Sequence, residues 1–190
     1  MKALILNGSL MDDSIINNMH EIVINELEKC GYDVDSLILR DITIAPCLGC
    51  FNCWVKTPGE CITADSGRDI ARKMVQNDLL IYFTPITFGG YSSVLKKALD
   101  RSIPIILPFF MKVNGEIHHV KRYDRYPSLI GVGILDAPNE EKENIFKTLI
   151  YRNSINMRNP KHETIIFTKN QDIEEMQTGF NHLLTAMKAM

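Results

Sequence analysis

Four cysteines lie close together in the sequence, as Cys47, Cys50, Cys53 and Cys61, with the spacing Cys-x2-Cys-x2-Cys-x7-Cys. Two residues between thiolates allow a tight loop to direct successive sulfurs toward one centre. Four such ligands suit a [4Fe–4S] cluster or a tetrahedral zinc ion, and three close thiols with a distant fourth favour ferredoxin-type ligation over a zinc ribbon. Packing as small apolar side chains, or a thiol function without metal, is the alternative.

A second group of polar residues follows the first apolar segment. Residues 8–14 precede an amphipathic helix, so backbone amides and hydroxyls gather at a helix N-terminus, where the dipole favours an anion. This placement predicts a phosphate subsite. Asp12 and Asp13 argue partly against it, because carboxylates repel a phosphate unless they turn outward to cap the helix. Neither GxGxxG nor GxxxxGK[ST] occurs, so neither the dinucleotide fingerprint nor a nucleoside triphosphatase is indicated.

A third stretch with chemical potential runs from Leu79 to Arg101. Its apolar start, 79–83, predicts a buried strand, and a turn with Pro85 leads from there into an amphipathic helix. The turn offers backbone amides, hydroxyl groups and two aromatic rings, on Thr84, Thr87, Ser92, Ser93, Phe88 and Tyr91. Ligands of open parallel sheets bind beyond the carboxyl ends of the strands. A flat aromatic ligand would fit this lining, with a plain strand-to-helix connection as the alternative.

These stretches need a framework, and the apolar periodicity predicts alternating strands and helices. The predicted strands are 2–6, 34–39, 79–83, 129–135 and 164–168, and the predicted helices are 15–27, 66–76, one containing 94–99, 140–153 and 172–190. Gly31 is predicted to end the first helix, and Asp65 or Ser66 to cap the second. This alternation predicts a three-layer α/β/α sandwich with a five-stranded parallel sheet, for which 2-1-3-4-5 is a common order.

Residues 102–127 interrupt the alternation, and we interpret them as an insertion. Prolines break the helical pattern there, while Gly115 separates two apolar runs as a hairpin turn would. Because adjacent strand residues face opposite sides, His118 and His119 are predicted to divide, one packed and one facing solvent. Exposed apolar residues in the insertion, namely Leu107, Phe109 and Phe110, would mark an interface and predict a homo-oligomer, either a dimer or a tetramer.

Composition limits the remaining possibilities. At 190 residues, with 45% hydrophobic and 23% charged residues, the chain is expected to form one domain, 1–190, containing that insertion. A net charge of -2 favours neither nucleic acid nor an anionic membrane as a partner. The first apolar run is too short for a secretory signal, and no segment approaches a membrane span of about 20 residues. We therefore expect a cytoplasmic protein, whose cysteines stay reduced.

These motifs carry a resemblance to a known family. The run Thr84-Pro85-Ile86-Thr87-Phe88-Gly89-Gly90-Tyr91-Ser92-Ser93-Val94-Leu95-Lys96-Lys97 is similar to the flavin loop of the flavodoxin-like NAD(P)H-dependent FMN reductases, and Asp100-Arg101 fits the pair that follows it there. The cysteine spacing resembles the compact cluster motif of the iron–sulfur flavoproteins within that family. The run 59–65 is similar to the Gly-x-Cys-x-x-x-Asp sequence of these relatives. The resemblance covers about the first 100 residues.

The resemblance implies a flavodoxin-like fold that binds FMN and, through Cys47, Cys50, Cys53 and Cys61, a [4Fe–4S] cluster. The implied FMN contacts are Ser9 and Ser14 at the phosphate, and Thr84, Pro85, Ile86, Thr87, Phe88 and Gly89 around the ring. Two departures stand out. The first loop reads Gly-Ser-Leu-Met-Asp-Asp where the family has Gly-Ser-Pro-Arg, so the usual basic residue is missing, and Thr87 replaces a ring-flanking Tyr.

The main hypothesis is an FMN-dependent oxidoreductase. NAD(P)H or another donor would supply electrons, and a small molecule or a protein would accept them, if necessary through the cluster; the pattern identifies no catalytic acid or base. One alternative is a non-catalytic flavodoxin-like module whose acidic first loop has abolished flavin binding. The other is a redox or zinc sensor built on the four cysteines.

Overall fold

The computed structural model describes residues 1–189, which contain seven strands and six α-helices. The strands are β1 (Lys2–Asn7), β2 (Asp33–Ile38), β3 (Leu79–Pro85), β4 (Ile106–Val113), β5 (Glu116–Lys121), β6 (Ser128–Leu135) and β7 (His162–Thr168). The helices are α1 (Ser14–Lys29), α2 (Asn52–Val55), α3 (Ser66–Gln76), α4 (Ser93–Asp100), α5 (Glu140–Asn156) and α6 (Ile173–Ala189). The predicted elements all occur, although Met190, placed in the last helix by the sequence pattern, lies outside the described residues. The short helix α2 is not predicted.

The main sheet is parallel and has the order β2-β1-β3-β6-β7. With the insertion set aside, this is the predicted order 2-1-3-4-5, so the sequence-based fold is confirmed. The central strands pair in one register, with Leu4 beside Leu80 and Leu80 beside Leu129. Because β1 and β3 lie next to each other, the loops that follow them meet at the same edge of the sheet.

The sheet is covered on both faces, which completes the three-layer sandwich. In β3, Ile81 and Phe83 pack in the layer formed with α1 and α6, whereas Leu80 and Tyr82 pack in the layer formed with α3, α4 and α5. This division follows from the two-residue alternation of a strand. All four side chains are buried, so β3 is apolar on both faces, as is typical of a parallel sheet that is covered on both sides.

Helix α3 begins, and helix α1 ends, at a residue that the sequence predicts as a cap. Asp65 precedes α3, and its carboxylate accepts the Gly67 N–H at 3.0 Å. Gly31 follows α1 with φ of +83°, a conformation that glycine adopts without steric cost. The N–H of Tyr32 then returns to the Leu27 carbonyl at 3.1 Å, which closes the last turn of the helix.

Within 102–127, β4 and β5 form an antiparallel hairpin. Its turn is Asn114-Gly115, with φ of 51° and 86°, and two successive positive φ values are typical of a two-residue hairpin turn. The turn lies one residue earlier than Gly115 alone would place it. The hairpin forms a separate two-stranded sheet that does not pair with the main sheet in the described residues.

The assignment of 1–190 to one domain stays a prediction.

Two polar contacts attach the hairpin to α5. His118 is buried, and its ring nitrogens face Asn156 Oδ1 at 2.8 Å and Glu116 Oε2 at 3.0 Å. Glu116 also forms an ion pair with Arg152 at 2.8 Å. The hydrogen bonds from Arg152 and from His118 lower the pKa of Glu116 to about 2. The β5 strand is therefore tied to α5 by charged groups.

The prediction for the two histidines is half right. His118 packs as expected, but His119 is only half-exposed, because its Nδ1 lies 2.7 Å from the Leu107 carbonyl oxygen. Its ring also packs against Trp54, with the ring centres 5.1 Å apart, and against Phe110. The cysteine loop therefore supplies an aromatic neighbour that strand alternation alone does not reveal.

Among residues 1–189, each helix is too short or too polar to cross a bilayer.

Candidate functional site

Residues 84–92, which we call the flavin segment, comprise the end of β3 and the connection to α4. They contain a tight two-residue turn. The backbone groups of Thr87 and Gly90 exchange two hydrogen bonds of 2.9 Å, and Phe88 and Gly89 between them have φ of 51° and 79°. Positive φ is uncommon for a phenylalanine. It leaves the Phe88 ring 97% exposed, beyond the carboxyl edge of the sheet. An exposed ring at this position is available to a ligand.

The flavin segment is fixed to the next strand of the sheet. The Ile86 N–H donates to the Ile134 carbonyl at the end of β6, at 2.8 Å. Gly133 makes this approach possible, because a Cβ there would lie 2.7 Å from Ile86 Cδ1 and 2.8 Å from the Phe146 ring. The close packing against Gly133 therefore determines where Ile86 lies.

The base of the flavin segment is buried and polar. The Thr84 hydroxyl donates to the Pro85 carbonyl and accepts the Ser92 N–H at 3.1 Å, and the Ser92 hydroxyl caps α4 by accepting the Leu95 N–H. Gly8, from the loop after β1, packs against this corner, since a Cβ there would lie 2.7 Å from the Ser92 hydroxyl oxygen. The absence of a side chain at Gly8 lets the two loops meet.

The loop after β1, residues 8–13, presents unpaired amides. Ser9 is fully buried, and its hydroxyl donates to Asn7 Oδ1 at 2.6 Å. Among the hydrogen bonds of residues 1–189, none uses the backbone N–H groups of residues 10–13 as donors. Four successive amides without an acceptor suit an anionic group. Ser14 follows as the first residue of α1, with its side chain exposed.

Asp13 caps α1, which was the alternative predicted for the acidic residues of this loop. Its Oδ1 accepts the N–H groups of Ile15 at 3.0 Å and of Ile16 at 3.3 Å, and its Oδ2 pairs with Lys169 at 2.9 Å. The hydrogen bond from Lys169, followed by the Ile16 amide, lowers the pKa of Asp13. Lys169 also lies 3.0 Å from Asp136, and these two hydrogen bonds raise the pKa of the lysine. Asp13 and Lys169 are therefore both ionised at neutral pH.

These loops enclose a cleft of about 580 Å³ at the carboxyl edge of the sheet, which we call the edge cleft. It is lined by Leu10, Met11, Asp13, Ile16, Pro85, Ile86, Thr87, Phe88, residues 134–139, Lys142 and Lys169. Four of the eight sequence-predicted FMN residues line it, namely Pro85, Ile86, Thr87 and Phe88. The other four do not line it: Ser9 and Gly89 lie in the adjoining turns, Thr84 lies in β3, and Ser14 is the first residue of α1.

The residues of the edge cleft fit FMN. Apolar side chains such as Ile86 and Ile134, together with the exposed Phe88 ring, suit a planar ring system. The unpaired amides of 10–13 and the two lysines suit a phosphate. The sequence pattern does not identify Lys142 or Lys169, since each lies in a stretch whose local sequence is that of an ordinary helix or loop.

The four cysteines surround a small apolar cavity of about 40 Å³ between the loop 46–53 and residues 61–63. Cys47 and Cys50 are exposed, Cys61 is half-buried, and Cys53 is buried in α2. Burial, followed by the proximity of Cys61, raises the pKa of the Cys53 thiol. Within residues 1–189, no three His, Cys, Asp or Glu side chains converge in a geometry that holds a metal ion. The donor set fits an iron–sulfur cluster, but the positions of the sulfurs do not.

Arg101 and Asp65 anchor both ends of the cysteine loop. Arg101 is 2% exposed and donates to the carbonyls of Ala45, at 2.8 Å, and Thr63, at 3.2 Å, which flank the loop. Asp65 accepts the Ala45 N–H at 2.7 Å and pairs with Arg101. The sequence pattern identifies Asp65 as a helix cap and Arg101 as a family residue, but the contact between them is visible only in the structure.

The cysteine loop and the flavin segment share a second cleft, of about 790 Å³. Cys47 and Phe51 lie on one side of it, and Gly90 and Tyr91 on the other. The Tyr91 hydroxyl oxygen accepts the Asn153 side-chain amide at 2.6 Å, which ties the flavin segment to α5. The cysteine loop and the end of the flavin segment therefore line one cleft, although none of the eight predicted FMN residues lines it.

Solved structures with the same fold include an NAD(P)H:quinone oxidoreductase from Methanothermobacter marburgensis. It is 12% identical with a TM-score of 0.71, over 96% of this chain and 93% of that one. Another is an FMN-dependent NADH-azoreductase from Bacillus anthracis, in complex with FMN. It is also 12% identical, with a TM-score of 0.66 over 99% of this chain and 97% of that one. These likenesses confirm the flavodoxin-like fold.

Sequence comparison gives a narrower relationship. An iron–sulfur flavoprotein of Methanocaldococcus jannaschii is 31% identical over 119 residues, which are 62% of this chain and 61% of the relative. The chain spans about half to three fifths of the length of the curated relatives it matches. The sequence model of the family described as NADPH-dependent FMN reductase matches residues 1–116, more than half of the chain. The resemblance in the flavin segment is thereby confirmed, and the chain belongs to the NADPH-dependent FMN reductase family.

Proposed function

We propose that this protein is an FMN-dependent oxidoreductase that takes electrons from NAD(P)H and passes them to a small-molecule or protein acceptor. The edge cleft is the observation that carries the proposal, because it joins the flavin segment to a loop of unpaired amides. When bound, FMN supplies the electron-transfer chemistry, and the protein supplies position and electrostatics. The family membership and the FMN-bound azoreductase structure support this assignment.

At the phosphate end, the backbone amides of residues 10–13 donate to the cofactor, and the exposed Ser14 hydroxyl lies beside them. Ser9 stays a predicted phosphate contact, and its hydroxyl donates to Asn7 and so shapes the loop. Thr84 likewise has a structural contact, because its hydroxyl accepts the Ser92 N–H and so joins the two ends of the flavin segment. The phosphate is thus bound mainly by backbone groups.

At the ring end, Pro85, Ile86 and Thr87 form the wall of the edge cleft that contacts one side of the flavin. Phe88 lies at the mouth, where its 97% exposed ring can cover the cofactor and exclude water. Gly89 allows the turn, since its φ of 79° favours glycine and a Cβ there would lie only 2.8 Å from Ile145. The chain positions the flavin without a dedicated acid or base.

Titration of the protein with FMN, followed by flavin fluorescence, tests this proposal. Saturable quenching and FMN-dependent oxidation of NADH or NADPH are expected. Protein that is correctly folded by circular dichroism and yet gives no saturable quenching would instead be the non-catalytic module. Phe88→Ala and the surface variant Ile173→Ala form a matched pair, because both remove an exposed apolar side chain and only Phe88 lines the edge cleft.

For the cysteine loop, we propose a [4Fe–4S] cluster held by Cys47, Cys50, Cys53 and Cys61. The spacing of the four cysteines and the name of the M. jannaschii relative support it, as does the cleft shared by Cys47 and Tyr91. The positions of the sulfurs do not support it, because they do not converge. Since donor set and geometry disagree, we derive no electron-transfer step through the cluster.

Iron, acid-labile sulfide and zinc analysis of anaerobically purified protein decides between the alternatives for this loop. About four iron and four sulfide per chain would establish the cluster. Zinc without iron would indicate the sensor, and neither metal would leave four thiols. Cys47→Ser is the informative variant, because Cys47 is exposed and its replacement leaves the core intact.

We also propose that the chain forms a homo-oligomer through the β4–β5 hairpin. Phe109 and Phe110 are 65% and 66% exposed, and they lie where β4 shifts register against β5, so two exposed aromatic side chains stand at one point of the hairpin. Ile117 on the neighbouring strand is exposed as well. Clustered exposed apolar side chains of this kind mark interfaces.

A further inference from the structure

Lys169 lies between two carboxylates at the rim of the edge cleft. Its Nζ is 2.9 Å from Asp13 Oδ2 and 3.0 Å from Asp136 Oδ1. The residue follows β7 directly, and its backbone N–H donates to the Leu135 carbonyl at 3.0 Å, so its position is set by the sheet. The lysine side chain is 30% exposed and lines the cleft. The two carboxylates therefore place a cation next to the start of α1.

The loop after β1 lacks a cation of its own. Residues 8–14 contain two aspartates and neither lysine nor arginine. The Asp13 carboxylate already occupies the amides of Ile15 and Ile16, where the helix dipole favours an anion. A phosphate approaching the amides of 10–13 therefore meets a negative neighbour, and a nearby cation is needed to offset it.

We propose that Lys169 is the cation that binds the FMN phosphate, taking the place of the basic residue missing from the first loop. Asp13 holds the lysine in position before the cofactor arrives, and on binding Lys169 turns from the Asp13 carboxylate to the phosphate. This inference rests on FMN binding at the edge cleft, as proposed above. The two charged residues of the site, Asp13 and Lys169, are then 156 positions apart in the chain.

A second cation lies near the same loop and is the natural competitor. Arg40 approaches Asp12 at 3.8 Å, and its Nη1 is buried without a hydrogen-bond partner among the described residues. Arg40 follows β2, however, and does not line the edge cleft. Lys169 makes shorter contacts to the loop and lines the cleft, so the geometry favours the lysine.

Asp136 has a different part in the arrangement. Its side chain is 89% exposed, so it can leave Lys169 at little cost. Asp13 is only 20% exposed and is fixed by two backbone amides. Asp13 is therefore the carboxylate that remains beside the phosphate and weakens its binding. Asparagine caps a helix as well as aspartate does, so Asp13→Asn removes this charge and keeps the cap.

Comparison of FMN with riboflavin tests the proposal, because only FMN carries the phosphate. Dissociation constants are measured by fluorescence quenching for the wild type, Lys169→Met, Arg40→Met and Lys147→Met. Lys147 pairs with Glu143 on the surface of α5 and serves as the matched control. Lys169→Met should weaken FMN binding about tenfold or more, as expected for a lost charged hydrogen bond, and change riboflavin binding less than about twofold. Asp13→Asn should tighten the binding of FMN and leave the binding of riboflavin unchanged.

Three results would overturn the proposal. They are unchanged FMN affinity in Lys169→Met, an equal loss for both flavins, and a phosphate-specific loss in Arg40→Met but not in Lys169→Met. A wild type that binds neither flavin overturns the proposed function itself and is distinguishable from all three. If Lys169→Met folds poorly, Lys169→Gln repeats the test, because glutamine also removes the charge and keeps a side-chain N–H that can donate to Asp13; the same FMN-specific loss is expected, and its absence would overturn the proposal.

Discussion

Arg101 donates to both carboxylate oxygens of Asp65, with Nη2 at 2.7 Å from Oδ1 and Nη1 at 2.9 Å from Oδ2. The arginine is buried at the C-terminus of α4, and the aspartate caps α3. Together they hold Ala45 and Thr63 at the two ends of the cysteine loop. One ion pair thus connects the helix after the flavin segment with the loop that carries the thiols.

Removal of this arginine should strongly destabilise the protein. Arg101→Met leaves the Asp65 charge without its partner, and breaking a buried pair costs about 3–5 kcal/mol of the free energy of unfolding. Urea denaturation measures the change. The control is Arg125→Met, whose pair with Asp78 is 85% exposed on the arginine side and should contribute at most about 1 kcal/mol. Equal losses in the two variants would contradict the structural role of Arg101.

The stabilisation by Asp65 should depend on pH. Burial raises the pKa of its carboxyl, but hydrogen bonds from Arg101 and from the Ala45 amide outweigh burial, so the pKa lies below its ordinary value of 3.8. A pKa lower in the folded than in the unfolded state means that the stabilisation is complete above the unfolded value. It is lost as the pH falls through the folded value.

Asp65→Asn should therefore destabilise the protein most at about pH 7, and the difference from the wild type should shrink toward about pH 3. Urea denaturation at both pH values checks this dependence. Asp69→Asn is the control, because Asp69 pairs with Arg72 on the exposed surface and should change stability by less than about 0.5 kcal/mol at either pH. A constant difference for Asp65→Asn would exclude the ionised carboxylate as the cause.

The Gly133→Ala substitution should disturb the flavin segment. The added Cβ would lie 2.7 Å from Ile86 and 2.8 Å from Phe146, and overpacking of this kind costs about 1–3 kcal/mol. Because Ile86 lines the edge cleft, we expect weaker FMN binding together with the lost stability. Gly179→Ala is the matched control, since its Cβ would meet Ile165 at an ordinary 3.5 Å and alanine favours a helix. Unchanged flavin affinity in Gly133→Ala would separate Ile86 from the binding site.

The cysteines should differ in their reaction with iodoacetamide. Cys47 and Cys50 are exposed and should be alkylated first, whereas Cys53 is buried and should react last. Mass spectrometry of timed digests gives the order, and Cys30, half-buried beside α1, is an internal reference. Treatment with iron and sulfide under reducing conditions should protect all four loop cysteines if the cluster forms, and leave Cys30 unaffected. Early alkylation of Cys53 would contradict the described burial.

The hairpin should control assembly. Light scattering is expected to show a dimer or tetramer for the wild type, and the double substitution of Phe109 and Phe110 by serine should shift it toward the monomer. The control is Ile173→Ser, which removes an exposed apolar side chain from the start of α6. A monomeric wild type would rule out the oligomer, and an unchanged double variant would place the interface elsewhere.

Much of the fold follows from local sequence. The continuous apolar run 129–135 and the strand 79–83 predict buried parallel strands, because both faces of such strands are covered. Gly31 is identified as a helix end by residue type alone, whereas residue type leaves Asp65 and Ser66 as alternatives for the cap of α3, and the structure shows Asp65 in that role. The short helix α2 is not predicted, since four residues carry no helical period and the positive φ of Phe51 that begins it is set by the loop.

The site is predicted less completely, because several of its contacts are distant in the chain. Pro85, Ile86, Thr87 and Phe88 belong to one contiguous motif, so sequence reasoning places them together. Ser9 stays a predicted phosphate contact, and the bond from its hydroxyl to Asn7 Oδ1 is one that no sequence pattern specifies. Lys169 reaches the first loop only because β7 ends and α1 begins at the same sheet edge. Its local sequence carries no signal of that contact.

The length of helix α4 sets the distance between the two predicted redox sites. The Ser92 hydroxyl starts the helix beside the flavin segment, and Arg101 ends it at the cysteine loop. One added residue would turn Arg101 by about 100° and advance it by about 1.5 Å, which would carry the guanidinium away from Asp65. The length of this helix is therefore fixed by what lies at its two ends.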